Sequence, residues 1–236
     1  MGRSGLAAWV LCFVLAAPAA FADGPWWGPR ASADHELAVA LHEKGRHAEA
    51  LRLAEAVLAD YRRRYGSIHS LVGAILSDMA MIHLARKEEA QAERLLREAL
   101  AVYEKAEGPD RLHAGMVLNN LGWLHESRGE HARAEPLYRR ALAIQEKAAG
   151  PRSPEVAALL GNLGGVRYAR GDSAEAASLY HRALEILEGA SPRNTEAILL
   201  ALENLAVVYA DLGDSAKAAQ MRARMAEVRG APGPRR

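Results

Sequence analysis

The chain has 236 residues, of which 50% are hydrophobic, 25% charged and only 6% aromatic, with a formal net charge of +1. That balance fits one large or two small folded domains and points away from nucleic acid or an anionic membrane as the main partner. Scarce aromatics and abundant alanine favour closely packed helices over a β-sandwich, whose strands prefer β-branched and aromatic side chains.

The first segment stands apart. Arg3 supplies a positive start, Leu6 to Ala17 is an uncharged and mostly apolar run, and Ala20-Phe21-Ala22 places small residues where a signal peptidase inspects them. Residues 1–22 are therefore expected to be a secretory signal peptide cut before Asp23, with Ala17-Pro18-Ala19 as an earlier alternative. The apolar run is too short for the ~20 residues that span a bilayer, so no stable membrane insertion is expected after cleavage. Cys12, the one cysteine, lies in this segment and follows Trp9-Val10-Leu11, which does not suit lipidation. Cleavage would leave no disulfide or thiolate metal ligand, and 29 basic against 29 acidic side chains. An exported destination, periplasmic or secreted, is the expectation.

Residues 23–32 form a leader with Trp26-Trp27-Gly28-Pro29, expected to be extended. Beyond it the sequence repeats every 42 residues. Stepping from Gly129 reaches Gly45, Lys87, Gly171 and Gly213; five residues later stands Ala50, Ala92, Ala134, Ala176 or Ala218. Eight residues before the anchor come Leu37, Met79, Leu121, Leu163 and Leu205, each followed by alanine or glycine. The repeats run at about 33–70, 71–112, 113–154, 155–196 and 197–229.

Each copy predicts two helices. In the third, Val117, Leu118, Leu121, Leu124 and His125 share one arc from about Ala114 to Arg128, with Gly122 at its edge. Gly129 is placed to end that helix in the left-handed conformation. Glu130, like Asp172 and Asp214, is expected to open the second helix at the positive end of its dipole. Ala134, Leu137, Tyr138, Ala141, Leu142 and Ile144 then form the second apolar stripe, which stops at Gly150-Pro151 as an earlier copy does at Gly108-Pro109. Gly122 with Ala134, and Gly164 with Ala176, predict close approach of the paired backbones. Lys87 in place of glycine predicts strain or a changed turn, and Pro136 a local bend. Arg222 replaces the tyrosine of positions 138 and 180, which suits the polar end of a stack. Residues 230–236 are expected to be disordered.

These columns resemble the tetratricopeptide repeat: Leu121-Gly122, Ala134, Tyr138, Ala141 and a late proline match its signature. The 42-residue period, Asn119-Asn120-Leu121-Gly122, and Gly150-Pro151-x-x-Pro154-Glu155-Val156-Ala157 are similar to the longer variant of kinesin light chains. The likeness covers roughly residues 33–229. It implies an all-α, right-handed α-solenoid of about five helix–turn–helix repeats that binds a peptide or protein in a concave groove lined by the first helix of each repeat. Trp123 is not the signature tryptophan, whose place Leu118 takes.

No catalytic site and no cofactor is expected: a mature cysteine, Gly-x-Ser-x-Gly, a phosphate-cradling loop and His-Glu-x-x-His are all missing from the sequence. Carboxylates such as Glu88, Glu89 and Glu93 fit a solvated helix face. His83 and His125 share a column, and His35 and His42 lie seven apart; a metal site needs three or four donors, so these are expected to be hydrogen-bonded core residues. The groove is expected to hold Asn119, Asn120 and Trp123, with Met81, Asn162, Tyr168, Glu203 and Asn204 from other copies. Asn120, Asn162 and Asn204 share one column, and asparagine can pair both ways with an extended backbone. The expected partner is thus a protein or peptide. The alternatives are a scaffold that self-associates through the edges of the stack and, behind it, a histidine-based metal or catalytic role.

Overall fold

The computed structural model describes residues 32–107, 112–190 and 194–230. The signal-peptide and leader assignments before Ser32, Gly108-Pro109, and the tail beyond Gly230 lie outside the described residues. Ten helices and no strands occur among the described residues: α1 (Ala33–Glu43), α2 (His47–Tyr65), α3 (Ser70–Ala85), α4 (Glu89–Glu107), α5 (Leu112–Ser127), α6 (His131–Ala149), α7 (Pro154–Ala169), α8 (Ser173–Gly189), α9 (Thr195–Asp211) and α10 (Ser215–Gly230). They are the paired helices of five repeats, an all-α solenoid as the period implies. The described residues fall into two compact units, 32–124 and 125–230.

In the first unit α1 packs on α2, α2 on α3, and α3 on α4. Helix α3 buries residues from Leu71 to Ser77 without a break, together with Met79, Ala80 and Ile82. A helix apolar on every side is one enclosed by neighbours, and its weak amphipathicity is the sequence sign of that position. In the second unit α6 packs on α7, and each later helix on the next. One cluster there joins Tyr180 and Leu184 of α8 to Leu202, Leu205 and Val208 of α9 and to Ala218 and Met221 of α10. Helix α10 buries only Ala218 and Met221 and leaves Arg222 exposed.

The turns inside the repeats share one backbone solution. Gly45, Gly129, Gly171 and Gly213 have φ between 72° and 93°, and Lys87 adopts φ 62° in the same column. The turn at Lys87 therefore keeps the left-handed geometry and takes the strain, which for an L side chain is on the order of 1 kcal/mol. Helix α6 runs unbroken through the exposed Pro136.

Glu130 and Asp172 stand at the N-caps of α6 and α8, opening those helices as expected, although neither side chain bonds a helix amide. Each carboxylate meets the residue five positions earlier: His125 Nδ1 lies 2.6 Å from Glu130 Oε2, and Arg167 Nη1 donates to Asp172 Oδ2 at 3.1 Å. Asp214 in addition accepts from the Lys217 amide at 3.0 Å. At Gly164 the nearest neighbour is a ring: a Cβ there would stand 2.7 Å from Tyr180 Cε1, and one at Gly73 would stand 2.8 Å from Tyr103 Cζ. The small residues make room for tyrosines of the second helix.

Second helices of successive repeats are joined by a recurring ion pair. Glu146 pairs with Arg182 and Glu188 with Arg224, both at 2.5 Å, one period apart. In the first unit the same two columns hold Arg62 and Glu98, which pair with the signs exchanged. Exposed pairs contribute ~0–1 kcal/mol each, so their main effect is on register.

Candidate functional site

The first helices of the repeats carry every residue expected to bind, and the structure treats them unequally. Within the first unit, Met81, Asn119, Asn120 and Trp123 are half-buried. Asn120 Nδ2 lies 4.0 Å from Met81 Sδ, a weak donor–acceptor contact. Trp123 Nε1 is shielded from solvent and has no hydrogen-bond partner. An N–H so placed forfeits about 1–3 kcal/mol.

Within the second unit, Asn162 and Glu203 are half-buried, whereas Tyr168 and Asn204 are buried at 7% and 6% exposure. Both were expected to lie off the core. Tyr168 closes over the cluster of Tyr180, Leu205 and Tyr209, where its apolar ring gains more than it would in water. Asn204 lies one helical turn from the buried Ala201 and Val208, so it occupies the margin of their stripe and is covered with it. Its Oδ1 has no hydrogen-bond partner.

Glu126, one turn after Trp123 on α5, is the residue whose weight was missed. Its Oε2 accepts from the Tyr138 hydroxyl at 2.7 Å. A Cβ on Gly165 would stand 3.3 Å from Oε1, so α7 comes close on the other side. Burial, against the smaller opposing effect of the Tyr138 hydrogen bond, pushes its carboxyl up to about 7. The Tyr138 hydroxyl is held well above its usual range, first by its own burial and then by the Glu126 charge. A signal existed in the sequence: the column of Glu126 is His42, Leu84, Tyr168 and Ala210 elsewhere, so it holds one carboxylate among mostly uncharged residues.

His35, His42, His83 and His125 are engaged within the fold. His83 Nδ1 lies 2.5 Å from Glu88 Oε2, the same i,i+5 arrangement as His125 with Glu130. His35, fully buried, places Nε2 2.6 Å from Asp78 Oδ2 and Nδ1 3.2 Å from the Tyr61 hydroxyl. The Asp–His–Tyr order resembles a proton relay, but Tyr61 is 2% exposed and its oxygen accepts from the Ser32 amide at 2.8 Å. A reactive group needs access to substrate, so this network is a tie between the first repeat and α3. Burial raises the Asp78 carboxyl above its ordinary range, opposed by His35. His42 meets His47 at 3.1 Å, away from the partners of His35. Among the described residues no three His, Cys, Asp or Glu side chains are grouped to hold a metal ion, and no helix is long and apolar enough to cross a membrane.

The remaining buried carboxylate belongs to packing. Glu135 on α6 accepts from Arg139 Nε at 2.9 Å and pairs with Arg167 of α7 and with Arg170 at its C-cap. Burial pushes its carboxyl up, but the three arginines outweigh that and hold it below the ordinary range. Arg167 extends the network to Glu175 on α8 at 3.2 Å.

Among solved structures, BtubC (BKLC) from P. vanneervenii is 24% identical with a TM-score of 0.77, over 85% of this chain and 82% of that one. The nearly identical TPR-like repeats of a kinesin light chain candidate from Podosopora anserina are 23% identical, TM-score 0.69, over 83% of this chain and 93% of that one. A Rap protein complexed with Competence and Sporulation Factor is 17% identical, TM-score 0.62, over 83% of this chain and 52% of that one. No curated protein sequence matches the chain. The tetratricopeptide repeat model matches residues 29–105, 71–147, 127–189 and 155–224 in overlapping stretches. The chain belongs to the tetratricopeptide repeat family.

Proposed function

We propose that the chain is an exported interaction module without chemistry of its own, whose first-helix faces bind an extended segment of another protein. The observation that carries this is Trp123: a half-buried indole on a first helix, outside the repeat signature, whose N–H has no partner. A large aromatic with an unspent donor, beside Asn119 and Asn120, has the make-up of an anchor for a peptide backbone. Met81 supplies a soft apolar neighbour through its contact with Asn120. In the second unit Asn162 and Glu203 are the corresponding contacts, while Tyr168 and Asn204 are buried. Family membership and the fold shared with a Rap protein complexed with Competence and Sporulation Factor are in keeping with a protein partner.

The test is capture from an envelope extract with the wild-type chain and with Asn120→Ala/Trp123→Ala. Loss of the captured set, with the helical circular dichroism unchanged, supports the proposal; an identical set from both chains refutes it. Export is tested separately by the intact mass of the expressed protein, which should correspond to a chain beginning at Asp23.

A further inference from the structure

We propose that Glu126, with Gly165 opposite it on α7, receives a lysine or arginine side chain of the bound segment, so that the protein selects a basic residue at one fixed position. This rests on the reading that first-helix faces bind an extended segment, and it names what that segment must carry.

The ground for this is an exception within one repeat column. In the other first helices the position of Gly165 holds Val39, Met81, Trp123 or Val207, all side chains of some bulk. On α7 the position is bare, and a Cβ added to Gly161, one turn earlier, would meet nothing within 4 Å. A Cβ on Gly165 would stand 3.3 Å from Glu126 Oε1 and 3.6 Å from the Tyr180 hydroxyl oxygen. A carboxylate and a hydroxyl therefore converge on the spot that other copies fill. A side chain there would cover both oxygens.

The occupant follows from the charge of that spot. Glu126 is half-buried, and Tyr138 takes only one of its two oxygens, donating to Oε2 at 2.7 Å. Among the described residues no ion pair engages Glu126, whereas Glu130 is taken up by His125 and Arg133, and Glu135 by three arginines. The titratable groups that face Glu126 are hydroxyls and bring no positive charge: Tyr138 of α6, Tyr180 of α8 and, beside Tyr180, Tyr168 of α7. Two acceptor oxygens side by side repel an acidic side chain, while an ammonium or a guanidinium carries enough N–H donors for both. Flanking tyrosine rings suit the aliphatic stem of lysine or the guanidinium plane of arginine. A cation there also offsets the burial that pushes the Glu126 carboxyl up to about 7.

Selection of phage-displayed random peptides on the full chain at about pH 8 tests this. The wild-type chain should enrich lysine or arginine at one aligned position. Glu126→Gln keeps an oxygen for Tyr138 and should lose that preference while the rest of the selected pattern persists. Gly165→Met, which restores the bulk of the column, should lose it too, with the carboxylate still present and the helical circular dichroism unchanged. A synthetic peptide from the wild-type selection, free of histidine, should bind Glu126→Gln about tenfold or more weakly. Only the ionised carboxylate attracts the cation, so binding of that peptide to the wild type should weaken about tenfold from about pH 8 to about pH 6. Its binding to Glu126→Gln should not change over that range. A selected pattern that is lost in Asn120→Ala/Trp123→Ala but holds no basic position would overturn this proposal and leave the groove reading standing. A basic position that survives Glu126→Gln would do the same. No enrichment by the wild-type chain would overturn both.

Discussion

Replacing Glu126 by glutamine should make the protein more stable at neutral and alkaline pH, although it removes a charge that the sequence places among surface residues. In the fold this carboxyl accepts from Tyr138 and has its pKa raised by burial from 4.5 to about 7. The protonated form is the one the fold prefers. Its stabilising effect is therefore complete below about pH 4.5 and is lost as pH rises through about 7. At 1.36 kcal/mol per pH unit that interval corresponds to about 3 kcal/mol, and partial solvent access at Glu126 brings the expectation to about 2–3 kcal/mol. Glutamine keeps an oxygen for the Tyr138 hydroxyl and is neutral throughout. Urea unfolding of both proteins at about pH 4 and about pH 8 should give near-equal stabilities at the lower value and the full advantage to Glu126→Gln at the higher. Parallel profiles, or a variant less stable at the higher pH, would refute the assignment of a buried, reluctantly ionised carboxylate.

Lys87→Gly should raise stability by about 0.5–1 kcal/mol, since it relieves a left-handed lysine at φ 62° at some cost in unfolded-chain entropy; thermal unfolding measures it. Gly164→Ala should cost about 1–3 kcal/mol by driving a methyl into the buried Tyr180 ring. On the same helix Gly161→Ala meets nothing within 4 Å and should stabilise by about 0.5–1 kcal/mol, so the two alanines must differ in sign. In the ion-pair ladder, Glu188→Arg should destabilise slightly and adding Arg224→Glu should restore the loss. A double-mutant cycle should return a coupling of about 0.5 kcal/mol, and zero coupling would remove the ladder from the account of register.

The period of 42 made the architecture legible, because a spacing kept in register across five copies fixes which residues meet before any contact is known. The arcs of α5 and α6 follow from it: Val117, Leu118, Leu121, Leu124, Tyr138 and Ile144 are buried as the wheel places them. What the period could not convey is how one copy departs from the average. Asn204 and Asn120 share a column, yet one is covered and the other half-buried, because margin positions depend on the neighbouring side chains. The period places Glu130 and Asp172 at the helix starts but not their side-chain partners, because a carboxylate there can choose between a backbone amide and a basic residue five positions back. Glu126 escaped for a related reason: the wheel puts it off the core, while Tyr138 and the approach of α7 at Gly165 enclose it. Leu37 shows the opposite case, a residue that obeys the column and is nonetheless 50% exposed.

The most direct test of the proposed binding role is site-specific photocrosslinking in the native envelope. A photoreactive side chain at Met116, half-buried on α5 near Asn119, Asn120 and Trp123 in sequence, is compared with one at Arg182, exposed on α8. The account predicts a discrete adduct with a partner protein from position 116, lost in Asn120→Ala/Trp123→Ala, and none from position 182. Adducts from position 182 alone, or a 116 adduct indifferent to the double substitution, would contradict it.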